Sequence, residues 1–392
     1  MLNTIKEEPK HKMKHLLIHS LIIFFCFFTT GVVLAEDLIP MPVPQKMSEK
    51  EFLAKTEPVD RVIEDDKTAE FKMRIPPEWQ ELTENDLKNH RGQGNRLLGD
   101  IAYFRGPSEV GERSYVSVEG FELNHELYLE HWVVQHILQA SYTLRSMRKN
   151  DDGSIETLYV LFKDNKTYVA RTKTVIKGPR ILQVSYVMPY DRYEKERDMQ
   201  AYIINDFSFS RKDTTPTEKL KTYAYLDQRK FEYPESLIIG GSDNVSEEEL
   251  KLDFTLKDMD GFRKGAYNVA IYAREEGVDL KEKIQGLLDY YLENRLERRD
   301  RIEVKDYPVA DFITFKSIEV YGMSIKTTDY ETAEDKKEPI TQELWMGVLA
   351  DEKYYYIFSL VSPARDLDIY NWSRNARAFE LMLTTLRDGM AY

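Results

Sequence analysis

Two stretches of the chain share one pattern of hydrophobic and polar residues. Residues 168–189 and 342–363 are equal in length, and both end in Val-x-Pro. In each, β-branched and aromatic residues lie on both sides of a polar turn, at Lys177–Arg180 and at Asp351–Lys353. Runs of this kind around a polar turn predict β-hairpins. Because the hairpin occurs twice, the sequence predicts an internal duplication.

The elements around the two hairpins follow one order: strand, strand, helix, several strands, helix. In the first copy they are predicted at Phe71–Trp79, Ser114–Phe121, Asn124–Ala140, Thr143–Arg148, Glu156–Phe162, the hairpin and Tyr193–Phe207. In the second they are predicted at Lys230–Pro234, Ala266–Ala273, Leu280–Tyr291, Arg301–Lys305, Ala310–Tyr321, the hairpin and Ile369–Leu386. Hairpin-rich order with helices at fixed places favours an α+β fold of two tandem modules, with mainly antiparallel sheets covered by helices.

Three of these helices are expected to pack one face on a core, because core residues recur at three- and four-residue steps. Asn124 is the predicted N-cap of the first helix. The core-facing residues are predicted to be Leu127, His131, Val134 and Leu138 in that helix, Leu280, Ile284, Leu287 and Tyr291 in its counterpart, and Ala376, Phe379, Leu383 and Leu386 in the last helix.

Polar and proline-rich segments divide the chain into predicted domains. These are a signal peptide at residues 1–35, a proline-rich charged tether at 36–66, a first module at 67–210, a linker at 211–222 and a second module at 223–392. A short helix is expected within the tether, near Ser48–Ala54.

The N-terminus has the pattern of a secretory leader. Lys10, Lys12 and Lys14 precede an apolar run from Leu16 to Ala35, which ends in Val33-Leu34-Ala35 before an acidic pair. A basic start, an apolar middle and a small-residue exit predict a cleaved signal peptide. The alternative is an uncleaved anchor, since about 20 apolar residues can span a bilayer. In either case the rest of the chain is expected to cross a membrane.

Composition narrows the function further. The 55 basic and 68 acidic residues give a formal net charge of −13, which disfavours binding to phosphate backbones and hence to nucleic acid. The one cysteine, Cys26, lies in the predicted leader, so a mature chain has no thiol chemistry and no disulfide. A cysteine-free exported chain favours a bacterial envelope, either periplasmic or secreted.

The opening strand ends in Ile75-Pro-Pro-Glu-Trp79, and it is followed by a second strand, a helix, a long meander of strands and a C-terminal helix. This pattern resembles the PsbP-like superfamily, including DcrB-like exported bacterial proteins. The resemblance covers nearly the whole mature chain, once per module. The second copy departs from it, with Tyr233-Pro-Glu-Ser236 in place of Pro-Glu-Trp. The family implies an α/β/α sandwich whose members mostly bind or assist other proteins, and it supplies no catalytic motif.

The densest set of candidate metal ligands is His125, Glu126, Glu130, His131 and His136. The spacing is not His-Glu-x-x-His, and His131 and His136 are about 140° apart around a helix. They are therefore not expected to grip one ion, and a packed or exposed role is favoured for each.

Other candidate motifs are explained better by structure than by chemistry. Asp258-Met-Asp260-Gly261 lacks the remaining acidic ligands of a calcium loop, and Gly92-Gln93-Gly94 and Gly240-Gly241 form no phosphate-binding loop. Ser114, Ser117 and Ser141 lie in no Gly-x-Ser-x-Gly motif. Tyr354-Tyr355-Tyr356 and the four tryptophans, Trp79, Trp132, Trp345 and Trp372, are expected mostly in the core, with an aromatic contact patch as the alternative for the tyrosines.

The sequence therefore predicts an exported, non-enzymatic protein that binds another envelope protein, with no catalytic, cofactor or metal residues assigned. The groove between the modules or an exposed sheet edge is the expected contact. Two alternatives remain. One is a hydrolase with dispersed acid and base residues, which needs a deep pocket with a histidine–carboxylate pair. The other is a membrane-tethered structural component, which needs the leader to stay attached.

Overall fold

The computed structural model describes a defined set of segments. These are residues 38–62, 67–82, 97–107, 112–210, 215–225, 229–243, 249–257, 261, 263–273, 296–305, 314–325, 342–350, 353–365 and 367–388. The predicted leader, residues 92–94, most of the calcium-like loop and the helix at 280–291 lie outside them. Of residues 1–40, which form a separate unit, only 38–40 are described, and they lie in no helix or strand.

The first module contains two antiparallel sheets. Its strands are β1 (Glu57–Arg61), β2 (Phe71–Ile75), β3 (Gln80–Glu81), β4 (Leu97–Arg105), β5 (Tyr115–Glu122), β6 (Thr143–Lys149), β7 (Ile155–Lys163), β8 (Lys166–Lys177), β9 (Arg180–Pro189) and β10 (Ser208–Phe209). The seven-stranded sheet has the order β3-β4-β5-β9-β8-β7-β6, and the small sheet has the order β1-β2-β10.

The second module contains two further sheets. Its strands are β11 (Leu220–Tyr225), β12 (Arg229–Pro234), β13 (Leu237–Asp243), β14 (Glu249–Lys257), β15 (Arg263–Ala273), β16 (Leu296–Lys305), β17 (Thr314–Ile325), β18 (Gln342–Ala350), β19 (Tyr354–Pro363) and β20 (Arg387–Asp388). The seven-stranded sheet has the order β13-β14-β15-β19-β18-β17-β16, and the small sheet has the order β11-β12-β20.

The two modules have the same topology. Replacing β3–β9 by β13–β19 turns the first large sheet into the second, and the small sheets match in the same way. The pairing within the two predicted hairpins also matches, since Tyr168 pairs with Pro189 and Gln342 with Pro363. The α+β class and the antiparallel sheets are confirmed.

Four α-helices are described, and the first and last of them begin at a side-chain N-cap. They are α1 (Glu49–Lys55), α2 (Leu129–Gln139), α3 (Tyr193–Asp206) and α4 (Ile369–Thr384). Ser48 and Glu51 form a capping box at the start of α1. The Asp368 side chain accepts a hydrogen bond from the Asn371 N–H at the start of α4. Among the described residues, no helix is both long and apolar enough to cross a membrane.

In the first module both faces of the large sheet are covered. Because side chains alternate along a strand, Leu158 and Tyr159 of β7 join different cores. One core lies under α3 and the small sheet and includes Phe71, Val169, Val184, Ile203 and Ile204. The other lies under α2 and includes Trp132, Val133, Ala170 and Ile181.

In the second module, α4 and the small sheet pack on one face of the large sheet. Their shared core includes Phe231, Phe254, Tyr356, Phe358 and Phe379. The outer side of α4 meets α2 of the first module. Residues 41–392 thus form one compact unit, in which two helices lie between the two large sheets.

The predicted core face is right for the last helix and wrong for the first. Ala376, Phe379, Leu383 and Leu386 are all buried. By contrast α2 begins at Leu129 with Tyr128 as N-cap, and it buries Leu129, Trp132, Val133 and Ile137 while Leu138 is 62% exposed. Asn124 does not cap it, because residues 125 and 126 lie before the helix and their side chains form hydrogen bonds with residues 218 and 217.

The predicted tether at 36–66 and the linker at 211–222 also need correction. Residues 45–61 are packed on the first module, because α1 follows a segment bound by Asp198, and β1 pairs with β2 along its whole length. Pro42 accepts a hydrogen bond from Arg171. The linker ends earlier than predicted, since β11 begins at Leu220.

Candidate functional site

The predicted histidine and glutamate cluster lies where the two modules meet. In α2, Nδ1 of His131 is 3.0 Å from Oγ of Ser373 in α4. The His131 ring also packs 4.5 Å from the Trp372 ring. Tyr128 of the first module donates a hydrogen bond to Glu380 of the second. Polar side chains of both modules therefore bond across the contact between α2 and α4.

The His125 ring and the Glu218 carboxylate are hydrogen-bonded beside this contact. Nδ1 of His125 is 2.9 Å from Oε2 of Glu218, and Oε1 of Glu218 accepts a hydrogen bond of 2.8 Å from the Ser236 hydroxyl. Burial raises the pKa of Glu218, but hydrogen bonds from His125 and Ser236 lower it more, so the net pKa lies below the usual value. Glu218 therefore joins the first module to the second.

Glu126 holds the segment that connects the modules. Its Oε1 accepts a hydrogen bond of 2.6 Å from the Thr217 backbone N–H, and Thr217 is buried. Its Oε2 lies 3.5 Å from the Arg377 guanidinium of α4. One carboxylate thus contacts the connecting segment and the final helix.

The remaining members of the cluster point elsewhere. The His136 ring stacks on Trp132 at 4.8 Å, and burial lowers its pKa. Glu130 pairs with Lys149 at 2.8 Å. The three histidines therefore lie in three different environments, and the described part of the chain contains no group of three side chains placed to hold a metal ion.

An open cleft lies along this junction, which we call the inter-module cleft. Its volume is about 370 Å³. Its lining comes from the start of α2, the turns after β6 and β8, residues 215–220 and α4. Gly153 and Gly178 form those turns with positive φ, where other residues would be strained.

The lining of the inter-module cleft combines apolar groups with paired charges. Leu127, Leu129, Ile176, Leu220 and Leu381 supply the apolar surface. The charged groups are two ion pairs, Glu130–Lys149 and Glu126–Arg377, and Arg377 also donates to Glu380 at 3.0 Å. An apolar centre with a polar rim is the usual anatomy of a protein–protein contact.

A second buried carboxylate supports the second module from within. Glu343 accepts hydrogen bonds from the indoles of Trp345 (3.1 Å) and Trp372 (2.8 Å) and from Nε of Arg365 (2.9 Å). Burial raises its pKa, but the bonds from Arg365 and the indoles lower it more. The Arg365 guanidinium also lies 4.5 Å from the Trp372 ring centre. This network was not predicted, because its members are scattered over a strand, a turn and a helix.

The tyrosines and most tryptophans are core residues, as predicted. Tyr354, Tyr355 and Tyr356 are all buried. Trp132, Trp345 and Trp372 are buried as well, while Trp79 is half-buried. The aromatic contact patch considered for the tyrosine run is therefore wrong.

The histidine–carboxylate pair expected of a hydrolase exists, but its geometry differs from a catalytic triad. In a triad the histidine lies between the serine and the acid. Here Glu218 lies between His125 and Ser236. The space beside the pair is about 10 Å³, about enough for a single water molecule.

The candidate serines are also placed for structure. Ser114 is 1% exposed, and its hydroxyl donates a hydrogen bond of 2.5 Å to Glu196, which also accepts one of 3.1 Å from Tyr186. Ser117 is buried, and Ser141 is an exposed turn residue with φ of 57°. Among the described residues, no histidine contacts any of these three serines.

Comparison with known proteins found no matching family model and no matching curated protein. Three solved structures are similar at low scores. The cyanobacterial PsbP protein of Synechocystis sp. PCC 6803 is 14% identical, with a TM-score of 0.28, over 40% of this chain and 93% of that one. The immunity protein TplEi of the type VI secretion system of Pseudomonas aeruginosa is 12% identical, with a TM-score of 0.21, over 81% of this chain and 94% of that one.

A chain of the Tle4–Tli4 complex is 11% identical, with a TM-score of 0.21 and the same coverage of both chains as TplEi. TM-scores this low carry no conclusion about this chain. Membership of the PsbP-like superfamily therefore stays a prediction.

Proposed function

We propose that this protein is an exported, non-enzymatic factor of the bacterial envelope that binds another protein in the inter-module cleft. The single observation that carries the proposal is the lining of that cleft. Apolar side chains from both modules lie there beside two ion pairs. The leader-like N-terminus and the cysteine-free mature chain support the location.

The structure of the junction favours a loop or helix end of the partner as the group that enters. A volume of about 370 Å³ accommodates several side chains but is small for a broad flat surface. Because Glu126, Arg377 and Glu380 already satisfy one another, a partner gains most from the apolar lining and the exposed rim.

The test is a crosslinking pull-down of the tagged full chain from intact envelopes, with identification of the proteins recovered. The cleft variant combines Thr215→Trp, which fills the entrance, with Lys149→Glu, which reverses a rim charge. The matched control combines Thr143→Trp and Lys72→Glu; both threonines are exposed, and each lysine is exposed and belongs to one surface ion pair. We expect one reproducible partner, with recovery at least about tenfold lower for the cleft variant only, which corresponds to about 1.4 kcal/mol.

Two outcomes would contradict the proposal. A bait without a partner, under conditions in which known envelope complexes survive, would argue against protein binding. A partner recovered equally with both variants would place the contact outside the cleft.

A further inference from the structure

The outer strand β13 of the second large sheet differs from the other edges of the two large sheets. It reads Leu-Ile-Ile-Gly-Gly-Ser-Asp, and among the described strands it pairs with β14 alone. Ile238 and Ile239 are 49% and 40% exposed, although the next strand is part of the core. An exposed edge offers a row of backbone N–H and C=O groups to another chain.

The other three edges of the large sheets carry features that oppose pairing. β6 presents Arg145, Arg148 and Lys149 and has a register shift after Leu144. β16 has the sequence Leu-Glu-Arg-Arg-Asp-Arg-Ile-Glu-Val-Lys and two register shifts. β3 has only two residues. Basic residues, bulges and short strands are the usual protection of sheet edges.

β13 lacks the basic residues and is longer than its counterpart β3. It has one register shift, between Ile239 and Gly241, and regular pairing on both sides of it. A Cβ placed on Gly241 would meet nothing within 4 Å, so the edge is open at that point. The side chains of a neighbouring strand could lie across the two glycines.

The chemistry of the edge specifies an extended segment. Only a β-strand matches the spacing of the free backbone groups along β13. Ile239 pairs with Phe254 and Ile238 with Thr255, so the two isoleucines lie on opposite faces of the sheet. The segment therefore needs an apolar side chain on each face.

The net charge favours a different protein, rather than a second copy of this chain, as the occupant of the β13 edge. Each chain carries a formal charge of −13, so two copies repel each other. We propose that β13 is a strand-addition site for an extended, apolar segment of another protein that carries no net negative charge. This surface lies on β13 rather than in the inter-module cleft, and its test does not depend on the cleft.

The probe is a synthetic peptide of about eight residues in which pairs of valines alternate with a pair of threonines, with a lysine at each end, so that each face of the strand carries valine. Its control has the same composition with a central residue replaced by proline, which cannot donate a ladder hydrogen bond. Amide hydrogen exchange is measured on the full chain, with and without each peptide. We expect the alternating peptide to slow exchange within residues 237–243 by about tenfold or more, and the proline peptide to have no effect.

Two variants of the chain test whether the slower exchange arises from binding at β13. The edge variant is Ile238→Lys with Ile239→Lys, and the matched control is Leu53→Lys with Leu138→Lys, two exposed apolar residues on helices. The edge variant should lose the protection and the control should keep it. Equal protection in both variants, or none in the wild type, would overturn the proposal. A concentration-dependent dimer that the edge variant abolishes would also overturn it, because the occupant would then be a second copy.

Discussion

At the scale of single residues, Asp198 attaches the N-terminal segment to the first module. Its Oδ2 accepts hydrogen bonds from the backbone N–H groups of Gln45, Lys46 and Met47 at 3.0, 2.5 and 2.9 Å. Burial raises the pKa of Asp198, but these three bonds together lower it more. A carboxylate with a lowered pKa stabilises the folded state above its unfolded pKa, and this contribution is lost as pH falls through the folded value.

We therefore expect Asp198→Ala to release the segment before α1 and to cost about 1–3 kcal/mol in the free energy of unfolding. Limited proteolysis should show new cleavage near residues 45–47, and urea denaturation should give the loss of stability. Asp191→Ala is the control, since Asp191 is an exposed residue of the helical turn before α3, whereas the three amides donate to Asp198. An unchanged cleavage pattern in Asp198→Ala would show that α1 and β1 hold the segment without it.

At the scale of elements, the pairing of α2 with α4 joins the modules. His131 contacts Trp372 and Ser373, whereas His136, one and a half turns further along α2, stacks on Trp132 of the same helix. Two histidines on one helix therefore have different roles, one between modules and one within a module.

Replacing His131 by alanine should weaken the contact between the modules. We expect a loss of about 1–2 kcal/mol, and a urea transition that separates into two steps, because each module has its own core. His136→Ala should lower stability while keeping a single transition. The two variants are compared by tryptophan fluorescence and circular dichroism during denaturation. Coincident single transitions in both variants would show that His131 contributes nothing specific to the junction.

The elements with strong local patterns were the ones predicted from sequence. The two hairpins and the last helix were found because their apolar residues repeat at strand or helix spacing and their turns are polar. The start of α2 was misplaced, because His125 and Glu126 bind residues that follow about 90 positions later. β4 and β14 were not predicted, and periodicity alone did not reveal the small sheets.

The site was predictable only in part for the same reason. The histidines and glutamates of residues 125–136 were identified as a group, but a single sequence does not contain their partners. Ser373, Arg377 and Glu380 lie on a helix more than two hundred residues away. The Glu343 network depends in the same way on tertiary structure.

At the scale of the whole molecule, Glu218 makes the junction sensitive to acid. It lies in the connecting segment and binds His125 of the first module and Ser236 of the second. Tyr267 and the Arg374 guanidinium also face this region. Since the net pKa of Glu218 is lowered below 4.5, its contribution is present above that pH and is lost as pH falls through the folded pKa.

We expect acidification below about pH 4 to loosen the junction before the cores unfold. Small-angle scattering should show a larger radius of gyration while circular dichroism still reports the sheets. In Glu218→Gln the expansion should occur already at neutral pH and depend less on acid. Glu235→Gln is the control, because Glu235 forms surface ion pairs with Lys219 and Lys221. An expansion that coincides with loss of the sheets in the wild type would exclude a separate opening step.

The small sheets have a consequence for how the chain folds. In each module the second strand pairs with the last one, since Lys72 pairs with Ser208 and Lys230 with Arg387. Contacts between residues so far apart in sequence slow folding, because a long loop must close before they form. Each module can be completed only after its final residues have left the ribosome. The first module therefore needs none of the residues of the second to complete its own sheets, and each module depends on its own last strand.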